Sequence, residues 1–81
     1  MPELPADLPW REFARVLRKL EYELSREGPG ASRTFRNEHR SPEFVTFHEP
    51  HGKRGLPKGT LRMYIRKLDL ERDEFLELLN S

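Results

Sequence analysis

The chain holds 81 residues, 36% of them charged and 35% hydrophobic, with a formal net charge of +1; that is one small domain with a thin core, of a size that draws stability from a partner or ligand. It has no cysteine and three dispersed histidines, which excludes a disulfide framework and cysteine-based zinc sites and gives no reason to expect a metal or other cofactor. No apolar run approaches the roughly 20 residues of a membrane span, and the start, MPELPADLPW, lacks the basic and apolar regions of a secretory signal, so a cytoplasmic protein without membrane contact is expected.

Residues 1–8, with Pro2 and Pro5, read as an irregular leader to a single domain over residues 9–81. Pro9 fits the first turn of a helix, and Trp10, Phe13, Ala14, Leu17 and Leu20 then recur at helical spacing, predicting a helix over about residues 9–20. Tyr22 to Arg26 alternates as a half-buried strand does, and Glu27–Gly30 (EGPG) is a turn. A second strand around Phe35 covers residues 33–37. EHRSPE connects it to a third, Phe44 to His48, rich in aromatic and β-branched residues.

Pro57 can open a second helix, whose apolar stripe is Leu61, Tyr64, Ile65 and Leu68. Arg62 and Arg66 fall one turn apart on another face, with Lys58 one turn before them, and the two arginines contact phosphates or pair with acids of the tail helix. Gly59 is unusual inside a helix and points either to close packing in the first turn or to backbone approaching a ligand. Leu70, Phe75, Leu78 and Leu79 belong to a short last helix with acids toward its start, where the helix dipole favours them. The order α-β-β-β-α-α predicts an α+β fold, a three-stranded antiparallel sheet with helices on one face.

The chemistry concentrates in His48–Arg62, HEPHGKRGLPKGTLR, which holds two of the three histidines. From His51 to Leu68 there are six lysines and arginines and no acid, whereas Asp69, Glu71, Asp73, Glu74 and Glu77 crowd the C-terminal end. Such a patch binds nucleic acid even at near-zero total charge, or is a solvated helix face. Imidazole beside cations is what phosphodiester cleavage requires, since cations hold phosphate and imidazole moves protons near neutral pH.

With these flanks, His51-Gly52-Lys53 followed by Lys58-Gly59-Thr60-Leu61-Arg62 and a terminal DEFLELL resembles the HicA toxins of bacterial type II toxin–antitoxin systems over about residues 9–80. The resemblance implies a double-stranded-RNA-binding-domain-like fold, metal-independent endoribonuclease activity on mRNA, and neutralisation by a HicB-like antitoxin. Typical members carry Gly-Ser-His at the start of the second strand, and that histidine is catalytic. Here the stretch is Gly30-Ala31-Ser32-Arg33, and aligning Phe35 with the family's aromatic puts Ser32 in the catalytic position. A divergent branch with GSR in the turn and H-x-P-H on the third strand is similar to Ser32-Arg33 and His48-Glu49-Pro50-His51, so the imidazole moves strands.

The expected catalytic residues are therefore His51, His48 and Ser32, with Arg33, Lys53, Arg54, Lys58, Arg62 and Arg66 as RNA-binding cations. Each has a plainer reading: His48 as a strand-end residue, His51 as a loop residue bonded to backbone, Ser32 as satisfying a turn or strand-end backbone group. Arg33 and Arg36 face opposite sides of their strand, so at most one of them reaches the RNA. His39 is expected to be solvent-exposed. Two other readings stay open: a catalytically inactive RNA-binding module of the same fold, and a small interaction protein whose basic face serves an acidic partner.

Overall fold

Pro9 opens the first helix in the computed structural model, which describes residues 3–81. The elements in chain order are β1 (Asp7–Leu8), α1 (Trp10–Lys19), β2 (Glu23–Glu27), β3 (Ser32–Arg36), β4 (Phe44–His48), β5 (Leu56–Pro57), α2 (Lys58–Lys67) and α3 (Arg72–Asn80). The expected α+β arrangement is present: β2, β3 and β4 form an antiparallel sheet in that order, and the helices cover one of its faces. Prolines at 9 and 57 stand immediately before their helices, each extended with ψ near 150° (141° and 153°).

Neither α1 nor α2 ends on glycine, yet both close in the same way. Tyr22 N–H returns to the Leu17 carbonyl and Glu21 N–H to Arg18, while Leu70 returns to Ile65 and Asp69 to Arg66. Glu21 and Asp69 take the left-handed conformation this closure needs, with φ of 66° and 57°. The reward is apolar: Tyr22 and Leu70 are turned back to pack with the core. At the other terminus of α3, Glu71 and Glu74 cap each other's backbone N–H groups, which gives the acids at that helix start a definite job.

The core lies between the helices and the inner sheet face. Phe13, Val16 and Leu17 enter from α1, Phe35, Val45 and Phe47 from the sheet, Leu61, Tyr64 and Ile65 from α2, and Phe75 and Leu76 from α3. The stripe expected for the second helix is thus the buried one, whereas Val16 replaces Ala14 as a buried residue of the first.

Two expectations are corrected. Of the leader expected over residues 1–8, residues 1–2 lie outside the described residues and 3–6 form no helix or strand, but Leu4 and Leu8 are buried and Asp7–Leu8 is a strand, β1 pairing with β5 through Asp7↔Pro57 and Leu8↔Leu56. Asp7 Oδ1 also accepts the Gly55 N–H at 3.0 Å, and a Cβ on Gly55 would lie 2.7–2.8 Å from Asp7, so only glycine fits the crossing. Second, β2 is not half-buried. All five of its residues are exposed, Leu24 at 51%, because β2 is the sheet edge beyond the helices' cover.

Tyr22 anchors the β3–β4 connection. It is 1% exposed, and its hydroxyl donates to the carbonyl of Pro42, beyond the cis Ser41–Pro42 bond. Asn37 adds a second tie, donating to the Leu20 carbonyl at 2.9 Å. Burial raises the Tyr22 pKa above its ordinary 10.0, with Arg40 pulling the other way. The unfolded chain therefore ionises first, so this contribution to stability is complete below the ordinary value and is lost as pH rises through the folded one. Urea unfolding at about pH 9 and about pH 11 should show that loss in the native chain and a smaller one in Tyr22→Phe; equal losses would refute the assignment.

Candidate active site

The outer sheet face, turned away from the helices, carries polar residues in rows set by register. Ser32 stands opposite His48, Thr34 opposite Thr46, and Arg36 opposite Phe44. The two threonine hydroxyls bond each other at 2.8 Å. Glu49 N–H donates to the Ala31 carbonyl at 2.8 Å, so that pair is hydrogen-bonded and the next one inward, Ser32/His48, is a non-hydrogen-bonded pair. Such pairs bring Cα atoms to about 4.5 Å and their side chains closer than in the hydrogen-bonded kind. Ser32 and His48 are thus immediate neighbours on one face.

The His48 backbone is fixed from the side. Its N–H donates to the Tyr64 hydroxyl at 3.0 Å, and that hydroxyl donates to the His48 carbonyl at 3.3 Å. Lys67 donates to the Thr46 carbonyl at 3.1 Å, so α2 closes the free edge of β4. The His48 side chain itself is exposed on the outer face. Ser32 Oγ takes no hydrogen bond among the described residues, so its side chain does not satisfy a turn or strand-end backbone group.

The other expected residues do not gather in one place. His51 lies beyond β4 in an exposed turn, where its carbonyl accepts the Arg54 N–H at 3.3 Å and Gly52 supplies a φ of 63°. Lys53 and Arg54 are exposed on that same turn. Arg33 faces inward opposite Phe47, with its guanidinium against Glu49 at 3.4 Å and Glu27 at 3.9 Å. Lys58 pairs with Glu3 at 3.2 Å, and Lys58, Arg62 and Arg66 line a groove on the flank of α2 away from β4. Arg62 and Arg66 do not pair with the acids of α3 among the described residues. A Cβ on Gly59 would meet nothing within 4 Å, which removes the close-packing explanation of that glycine. His39 is exposed, as expected.

Sequence reasoning missed Arg26 and had no means to find it. By simple alternation Arg26 would share the face of Leu24, but a register shift between Leu24 and Arg26 sets it opposite Thr34 on the outer face. It stands one row from Ser32 and His48, about 7 Å along the strands. Arg36 is on the same face but is held by Glu43 at 3.0 Å and Glu38 at 3.5 Å, over the exposed ring of Phe44. No group of three or more metal-ligating side chains is arranged around a common point among the described residues. Nor is any of their helices long and apolar enough to cross a membrane.

This is a small α+β domain that covers one sheet face with helices and leaves a serine–histidine pair on the other. The family model described as HicA toxin of bacterial toxin-antitoxin matches residues 10–70, from the start of α1 through the α2 closure. The chain belongs to the HicA toxin family, and so to the toxin side of a toxin–antitoxin pair. No curated protein and no solved structure matches it.

Proposed function

We propose that the chain is a metal-independent endoribonuclease that cleaves mRNA and is held inactive by a HicB-like antitoxin. The observation that carries this is the Ser32/His48 pair: the imidazole absent from the strand position where the family resemblance expects it stands directly across on the neighbouring strand. Cleavage needs a base for the 2′-hydroxyl, an acid for the departing 5′-oxygen, and cations for charge on phosphorus. His48 takes the 2′-hydroxyl proton as that oxygen attacks phosphorus. The P–O5′ bond breaks, and the leaving oxygen is protonated by His51 from the adjacent turn, giving a 2′,3′-cyclic phosphate and a 5′-hydroxyl. Ser32 donates to a non-bridging oxygen, with Arg26 one row away and Lys53 and Arg54 on the turn beyond β4 as the cations.

One observation favours a second reading. Neither the His48 nor the His51 ring donates a hydrogen bond to a carboxylate or carbonyl that would orient it, among the described residues. On that reading the chain binds RNA without cutting it. The two are separated by incubating purified protein with single-stranded RNA in the presence of a chelator. A cyclic-phosphate product, with growth arrest on expression in a bacterium, supports the nuclease. Intact RNA that is nonetheless retained by the protein supports the silent module.

A further inference from the structure

The groove beside α2 has chemistry that RNA cleavage leaves unused. It measures about 410 Å³ and lies between residues 3–4, α2 and the α2–α3 connection. Leu4, Ile65 and Leu70 line it together with Lys58, Arg62 and Arg66. Its two acids are engaged: Glu3 with Lys58 at 3.2 Å, and Glu71 in capping α3. Arg62 and Arg66 form no ion pair among the described residues.

Two of the three cations, Lys58 at its start and Arg62 one turn on, work against their own helix, whereas Arg66 lies in the last turn, where the dipole favours it. Like charges at positions 58, 62 and 66 repel across successive turns, and a lysine in a first turn without acids opposes the helix dipole. Nothing in the fold requires this, since the residues α2 buries are Leu61, Tyr64 and Ile65. A local rule broken with no gain in packing marks a surface shaped for something outside the chain. The groove is also separate from the Ser32/His48 face. Tyr64 and Lys67 project from α2 toward β4, whereas Lys58 and Arg62 project from the opposite flank, so a helix about 10 Å across stands between them.

We propose that this groove docks an acidic protein segment, a helix with two carboxylates one turn apart and an apolar side chain beside them. Arg62 and Arg66, themselves one turn apart, each take a carboxylate in the two-pronged geometry that guanidinium favours, and the apolar side chain enters between Leu4, Ile65 and Leu70. An RNA strand would use the cations and leave the apolar lining idle. The inference goes beyond the nuclease reading and stands whether or not His48 cleaves RNA. It leaves the Ser32/His48 face open while the groove is filled.

The probe is a short synthetic helical peptide with two glutamates one turn apart and a neighbouring leucine, titrated into the full chain and followed by NMR. Its glutamine counterpart and a single-stranded RNA are titrated in parallel. The glutamate peptide is expected to shift the resonances of Arg62, Arg66, Ile65 and Leu70, and the glutamine peptide to shift none of them. The double variant Arg62→Gln/Arg66→Gln should weaken the glutamate peptide about tenfold or more, while Lys53→Gln/Arg54→Gln leaves it unchanged. Failure of the glutamate peptide to bind, binding indifferent to the Arg62/Arg66 change, or RNA shifting the groove while the peptide does not would each overturn the proposal. Loss of cleavage in a His48 variant with peptide binding intact bears only on the nuclease reading.

Discussion

His48→Ala is expected to lower RNA cleavage by about 10²–10⁴-fold, the usual contribution of a positioned proton-transfer group, and to leave the thermal unfolding midpoint unchanged. The stability half follows from where the ring sits. It is exposed on the outer face, and the bonds that tie this residue to Tyr64 are made by its backbone, which alanine keeps. The activity half follows from the pairing with Ser32, which puts both side chains on the face turned away from the helices. His51→Ala should reduce cleavage less, because that residue stands on an exposed turn whose distance from the pair is not fixed by the sheet. A rescue sharpens the test: Ser32→His in the His48→Ala background returns an imidazole to the adjacent position and should restore part of the activity. Full cleavage by the double change His48→Ala/His51→Ala would remove imidazole from the mechanism.

The largest loss of stability is expected from Phe13→Ala, about 3–5 kcal/mol, as for other buried Phe→Ala changes. Phe13 is 0% exposed, and its ring lies 5.0 Å from that of Phe47, 5.6 Å from Trp10, 5.7 Å from Tyr64 and 6.1 Å from Phe75. It is therefore where α1, the sheet, α2 and α3 meet. A domain of this size has a total stability of roughly 4–12 kcal/mol, so the change takes about a quarter of it or more. Urea unfolding measures the effect directly. Leu24→Ala makes the comparison, since a half-exposed leucine on the sheet edge should change stability by about 0.5 kcal/mol or less. A loss at Phe13 no larger than at Leu24 would mean the core is centred elsewhere.

The helix stripes were legible because burial on one side of a helix imposes its own period. Leu61, Tyr64, Ile65 and Leu68 could be read off and are the residues buried. Proline before each helix was equally readable, because its fixed φ is a property of the residue. The left-handed closures beyond the helix ends were not, since Glu21 and Asp69 adopt a conformation that glycine would have announced. Leu24 misled for a related reason: alternation reports a pattern, but whether a helix lies over the strand is a fact about a distant segment. Residues 3–8 looked irregular because two-residue strands carry no period at all, and Leu8 finds its partner 48 positions away, at Leu56.

The sequence by itself determined the fold class, the helix faces, the family pattern and the presence of two imidazoles beside a basic run. These depend on residue type and near spacing, which the chain carries locally. Only the tertiary structure decided which of those residues share a surface. It set Ser32 across from His48, sent Arg33 inward to Glu49, turned Arg26 outward through a one-residue bulge, and carried Arg62 and Arg66 to the far flank of α2. Each of those outcomes depends on strand register or on which side of a helix meets the sheet. Register is fixed by cooperative pairing and packing across the whole domain, so a shift of one residue reverses a face without changing a letter nearby.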